Sequence, residues 1–245
     1  KRELSTLKVA LKKINFIIGF PQLEMLMKTI TILTEEHSTL SSGISDQYDR
    51  VTGAEYRHAD QSSFNCQKLV LQYLFEEYEA ARETVFEMTN LMKTYKDSIT
   101  DPLANCYRSL ALLAVCGQVS EGEKEEILTQ VNENQETLEK LAHSAPPNYL
   151  HKHHLVEAER MRVLDDEHDT IMHHYDQAIA LARESKFIHE EALANEVAAR
   201  YLFNQGNNNA AARSYLRSAL EQYEAWGAKR KVAHLKSRYP GLIAD

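Results

Sequence analysis

Apolar residues return along this chain at alternating steps of three and four, the spacing that lines one face of an α-helix. Leu4, Leu7, Leu11, Ile14 and Ile18 form the first such stripe. Gly19 ends it, Pro21 suits the first turn of a successor, and Leu23, Leu26, Ile30 and Leu33 carry the pattern to about His37. The spacing predicts an N-terminal helical hairpin over 1–37. It is expected to pack within the chain, because about two or three heptads per helix are short for a coiled-coil dimer. The pattern then lapses in SSGISDQYDRVTGAEYR, so 38–60 reads as an irregular connection with room for a short helix near its end.

From 61 to 242 the periodicity resumes as about four helix pairs. Phe64, Leu69, Val70, Tyr73 and Leu74 face inward on the first helix; after Glu76-Glu77, Ala81, Val85, Met88 and Met92 do so on its partner. Asp101 can cap the next helix, Pro102 fits its first turn, Leu103, Tyr107, Leu110 and Ala114 form its stripe, and Gly117 marks its stop. Ser120 with Glu123 has the spacing of a capping box, ahead of Ile127, Leu128, Val131, Leu138 and Leu141. Ala145-Pro146-Pro147 breaks the chain, and Asn148 is the expected cap of a helix bearing Leu150, Leu155, Ala158 and Met161. An acidic turn at 165–167 leads to Ile171, Tyr175, Ala178 and Ala182.

The stretch from Phe187 to Leu242 is the most regular. It predicts a helix with Leu193, Val197 and Tyr201 inward, a break at 206–209, and a second helix with Ala212, Leu216 and Ala219 inward. Gly227 then precedes a short basic helix that stops at Tyr239-Pro240. Ala81-Val85-Met88, Ile171-Tyr175-Ala178 and Ala212-Leu216-Ala219 share one offset, four residues and then three. That offset matches the small-large-small triplet on the second helix of a tetratricopeptide repeat. The 41-residue interval from Ile171 to Ala212 exceeds the usual repeat of about 34, and the leading Trp-Leu-Gly signature is absent. The expected fold is all-α: a right-handed α-α superhelix of about four tetratricopeptide-like pairs over 61–242, with the 1–37 hairpin either separate or packed against it.

Composition narrows the functions. With only 8 Gly and 5 Pro in 245 residues, an all-β fold lacks its turns. A net charge of −8 opposes general nucleic-acid binding. No apolar run reaches the ~20 residues of a membrane span, so no membrane insertion and a cytoplasmic location are expected, and the absence of an initiator Met suggests a piece of a longer protein. Cys66, Cys106 and Cys116 lack CxxC spacing and read as buried thiols.

Chemistry-bearing motifs are sparse. GxxxxGK[ST], GxGxxG after a strand, HExxH and GxSxG are all missing. His189-Glu190 has the opening residues of a phospho-accepting histidine box but not its continuation. His151, His153 and His154 precede the acidic turn, and His168, His173 and His174 follow it. A hairpin centred near Asp166 offsets His154 from His174 by roughly 6 Å along the axis. The favoured reading therefore half-buries His154 on the Leu150/Ala158 face and leaves the other imidazoles in solvent, with a converging metal site as the alternative. Lys229, Arg230, Lys231, Lys236 and Arg238 fall in a stretch without acids. They suit a helix C-terminus better than a phosphate site. No catalytic, cofactor-binding or metal-binding residue is assigned, and no cofactor is expected.

PPNYLHKHHLVEAERMRVL (146–164), YDQAIALARESKFIHEEALANEVAARYL (175–202) and YEAWGAKRKVAHLKSRYPGL (223–242) resemble the helical region of large multi-sensor signalling kinases. In that family a serine/threonine kinase-like domain and a STAND-type AAA ATPase precede a tetratricopeptide-like array, and a GAF domain and often a histidine kinase follow it. The resemblance covers roughly the last hundred residues well, 51–135 more loosely, and the first fifty only in general pattern. It implies a non-catalytic scaffold whose partners are a protein, a peptide or adjacent domains of the same polypeptide. Trp226, Gly227, Tyr239 and Pro240 would then be coupling residues at the end of the array. Asn195 and Arg200 are the candidate partner-binding residues on a first helix. A free-standing tetratricopeptide adaptor and a His-rich metal-dependent helical enzyme are the rival readings, and the oligomeric state is left open.

Overall fold

The structure, a computed structural model, describes residues 20–34, 43–46, 48–49, 61–94, 102–206 and 209–240. Among them the protein is all-α, with ten helices and no strand. No described helix is long and apolar enough to cross a membrane. The Leu4–Ile18 stripe and the Asp101 cap lie outside the described residues. The chain divides into two compact units, Lys1–Ile99 and Thr100–Asp245.

In the first unit, α1 (Phe20–Thr34) packs on α2 (Gln61–Leu74), and α2 on α3 (Tyr78–Thr94). The inward face of α1 is rotated from the expected stripe. Thr29, Ile32 and Leu33 are buried, whereas Leu26 is 40% exposed. Phe64, Leu69, Tyr73 and Leu74 meet Ala81, Val85 and Met88 in the core. Within the expected irregular connection, residues 44–46 and 48–49 are helical and bury Ile44 and Tyr48. Glu77 holds this segment by accepting hydrogen bonds from the Ile44 N–H, the Ser45 N–H (3.1 Å) and the Ser45 hydroxyl (2.6 Å).

The second unit runs α4 (Pro102–Val115), α5 (Glu121–Ser144), α6 (Pro146–Leu164), α7 (His168–Glu184), α8 (Ile188–Asn204), α9 (Asn209–Trp226) and α10 (Lys229–Arg238). Each packs on the next where chain order makes them neighbours, except that α6 also covers α4. The capping box forms: the Glu123 N–H donates to the Ser120 hydroxyl at 3.4 Å, and the Ser120 N–H donates to the Glu123 carboxylate at 3.3 Å. Asn148 is not the cap of α6. That helix opens at Pro146 with Ala145 in the cap position, because prolines in the first turn have no N–H to leave unsatisfied. Asn148 lies inside the first turn, and its carbonyl accepts from Lys152 Nζ at 2.9 Å.

Four of the interhelical turns share one geometry. After α2, α6, α7 and α9 the chain enters the left-handed region at Glu76, Asp165, Lys186 and Gly227. The following N–H bonds back five residues: Glu77 to Gln72, Asp166 to Met161, Phe187 to Ala182 and Ala228 to Tyr223, at 2.9–3.1 Å. These bonds satisfy the carbonyls that a helix end leaves open, and they reverse the chain tightly enough for consecutive helices to pack as hairpins. Only one of the four positions carries the glycine that this conformation favours.

Small residues set how closely the helices approach. Ala81, Val85 and Met88 on α3, Ile171, Tyr175 and Ala178 on α7, and Ala212, Leu216 and Ala219 on α9 are all buried. The shared offset therefore marks the inward stripe of each of these helices.

Candidate functional site

The most developed site in the second unit is a polar network around α8. Every residue from Glu190 to Ala199 is buried, so α8 is a core helix with no solvent-facing stripe across that span. Its polar side chains must find partners inside the protein, and they find them on four neighbouring helices.

Glu190 opens the network in the first turn of α8, where a negative charge also complements the helix dipole. Its carboxylate pairs with His151 Nε2 and with Lys152 Nζ at 2.8 Å, both on α6. Burial would raise the Glu190 carboxyl, but the His151 hydrogen bond and the Lys152 charge outweigh it and hold the group below the ordinary carboxylate range. The next residue, Glu191, is paired with Arg183 of α7 at 2.8 Å.

A second cluster joins α6, α7 and α8. Arg162 grips Glu159 with two hydrogen bonds of 3.0 Å, Tyr175 donates to the same carboxylate, and Arg200 lies 3.9 Å away. Burial acts to raise Glu159, yet the two guanidinium groups keep it ionised and below its ordinary range. Burial and the adjacent carboxylate together push the Tyr175 hydroxyl well above its ordinary value. The third cluster joins α8, α9 and α10. Glu196 accepts from Tyr223 at 2.8 Å and from Lys231 at 2.7 Å, and Lys231 is 0% exposed.

Cys106, His151 and Glu190 line one cavity, a combination that would suggest a cysteine nucleophile with its base. The thiol argues against it. Burial pushes Cys106 up to about 12, a value at which it stays protonated and inert. The cavity, about 10 Å³, is at the scale of a single water and far below the several hundred Å³ of a small-molecule site. The arrangement holds helices in register; it has no room to bring a substrate to a nucleophile.

The structure moves several residues from their expected places. Asn195 is 2% exposed and donates to the Glu191 carbonyl at 2.9 Å, one turn back. Arg200 is committed to the Glu159 cluster. His151 is buried, not solvated, because the inward face of α6 runs through His151, Leu155, Ala158 and Glu159. The expected axial offset between His154 and His174 does not keep them apart: their side chains reach across the α6–α7 hairpin and bring the Nδ1 atoms to 3.0 Å. Cys66, Cys106 and Cys116 are buried and none is in a disulfide. The basic helix is two-faced, with Arg230 and Lys231 buried and Lys229, Lys236 and Arg238 exposed.

At the end of the unit, Gly227 has φ +85°, as the predicted stop requires. Trp226 is 36% exposed and stacks on His189 with ring centroids 5.2 Å apart. Tyr239 stacks on Phe203 at 5.3 Å, and Pro240 follows the last helix at the surface.

Sequence reasoning missed Lys231 as a core residue, although the signal was present. Ala228, Lys231, Val232 and Leu235 fall on one stripe, so the periodicity places the lysine on the apolar face. Geometrically, then, the second unit is an all-α stack of helical hairpins organised on a buried, charged helix. In comparisons with known proteins, no family model, no curated protein and no solved structure matches the chain.

Proposed function

We propose that this chain is a non-catalytic helical-repeat module of a multidomain signalling ATPase-kinase, binding a protein, peptide or neighbouring domain and coupling it to kinase output. The observation that carries this reading is the buried triplet shared by α3, α7 and α9, each on the second helix of a hairpin. Helices stacked in this way leave side chains outside the core for recognition, as in repeat proteins generally. Support for a coupling role comes from α8, whose charged residues tie it to α6, α7, α9 and α10, so that displacing one helix disturbs the pairing of the others.

The test is the complete open reading frame, followed by an assay of its product. A P-loop ATPase upstream and a GAF domain downstream are the expected flanks. In that full-length protein, Lys231→Met should alter kinase output while leaving ATP binding intact. A gene encoding this chain alone would replace the proposal with a free-standing adaptor.

A further inference from the structure

Two ring nitrogens facing each other at 3.0 Å need something positive between them, because both carry lone pairs in the plane of the ring. In the metal-free protein a shared proton meets that need, as an N–H···N hydrogen bond. A divalent cation meets it equally well. The pair in question is His154 on α6 and His174 on α7, which sit across the hairpin with ring centroids 5.1 Å apart and planes inclined at 45°. The imidazoles therefore approach through their nitrogen edges and not as a stacked pair.

We propose that His154 and His174 form the protein-derived half of a site for a divalent transition-metal ion of the nickel(II) or copper(II) class. Both Nδ1 atoms bind in cis, and water fills the remaining positions. The distance is compatible with that class of ion. With metal–nitrogen bonds of about 2.0–2.1 Å, nitrogens 3.0 Å apart subtend an angle of about 90–97° at the ion. That suits a tetragonal N,O field, whereas a tetrahedral zinc angle would need the nitrogens about 3.3–3.4 Å apart. Histidine χ2 is a broad torsion, so turning both lone pairs toward a common point costs little.

The surroundings leave both imidazoles reachable and unprotonated. Both imidazoles are only half-buried, so an ion can enter and keep its water ligands. Burial and the neighbouring imidazoles hold both rings below the ordinary histidine range, which leaves their lone pairs available near neutral pH. The Glu157 carboxylate on α6 acts on both rings with the opposite sign, while Arg160, which pairs with it, opposes positive charge at His174; Gln135 also holds the carboxylate. Among the described residues no group of three or more His, Cys, Asp or Glu converges as a metal site, so the ion would hold only two protein ligands and bind reversibly.

The test uses the tag-free chain. Isothermal titration with nickel(II) should show one saturable site, weakened at least tenfold by His154→Ala or His174→Ala and unchanged by His173→Ala. Copper(II) bound at one equivalent should show two imidazole nitrogens by electron paramagnetic resonance, and one in either variant. His174→Asn keeps a hydrogen-bonding group near Nδ1, so loss of binding in that variant with an unchanged circular dichroism spectrum separates ligation from folding. Absence of nickel binding, or equal binding by the wild type and the His154 and His174 variants, overturns the proposal.

Discussion

Lys231 is the residue on which the end of the second unit depends. Its ammonium is fully buried against Glu196, which also accepts from Tyr223. Removing one partner of a buried pair leaves the other charge uncompensated, so Lys231→Met should cost about 3–5 kcal/mol in chemical denaturation. Glu196→Leu combined with Lys231→Met should recover most of that loss, since the penalty comes from the orphaned charge. Gly227 is a separate case. A Cβ there would meet no heavy atom within 4 Å, but φ is +85°. Gly227→Ala should therefore cost about 1–2 kcal/mol through the backbone alone. Trp226→Ala should fall below the about 3–5 kcal/mol of a fully buried aromatic, because the ring is 36% exposed and rests on His189. Hydrogen exchange across 210–240 checks both: faster exchange confined to α10 and the end of α9 is expected, with α4–α6 unchanged.

At the scale of elements, α8 makes stability depend on pH. Glu190 binds α6, and Glu159 of α6 is held by Arg162 with Arg200 of α8 nearby. Burial opposes ionisation of both carboxyls, but their cationic partners win and keep them below the ordinary range. In the unfolded chain the same groups titrate in the ordinary range, so on acidification the unfolded state takes up protons first. Their contribution is complete above that range and is lost as pH falls through it toward the folded values. The urea midpoint should therefore drop as pH falls below about 5, and Glu159→Gln should flatten this acid limb while lowering stability at neutral pH. The helices that supply these groups were legible from apolar spacing, punctuation and the Ser120–Glu123 box. The turns were legible only in position: nothing local in Glu76, Asp165 or Lys186 requires a left-handed backbone, which the packing of the flanking helices imposes.

For the whole molecule, the division into Lys1–Ile99 and Thr100–Asp245 carries its own prediction. Residues 100–245 contain α4–α10 and all three polar clusters, so that piece alone should be helical and unfold in one cooperative transition by circular dichroism. A gradual, probe-dependent melt would show that the unit does not fold independently. By itself the sequence determined the all-α class, the helix order and the inward triplets of α3, α7 and α9, because these follow from local propensity and a period of 3.6 residues. It put Lys231 on an apolar stripe but did not determine which partner would meet a buried charge. Asn195, a partner-binding candidate, and Lys231, read as complementing a helix C-terminus, are both core residues. His151 is buried, and His154 meets His174 directly. Only tertiary structure decides such cases, because a buried charge is tolerated only where a partner from another helix arrives within hydrogen-bonding distance, and that encounter is absent from the order of residues along either helix.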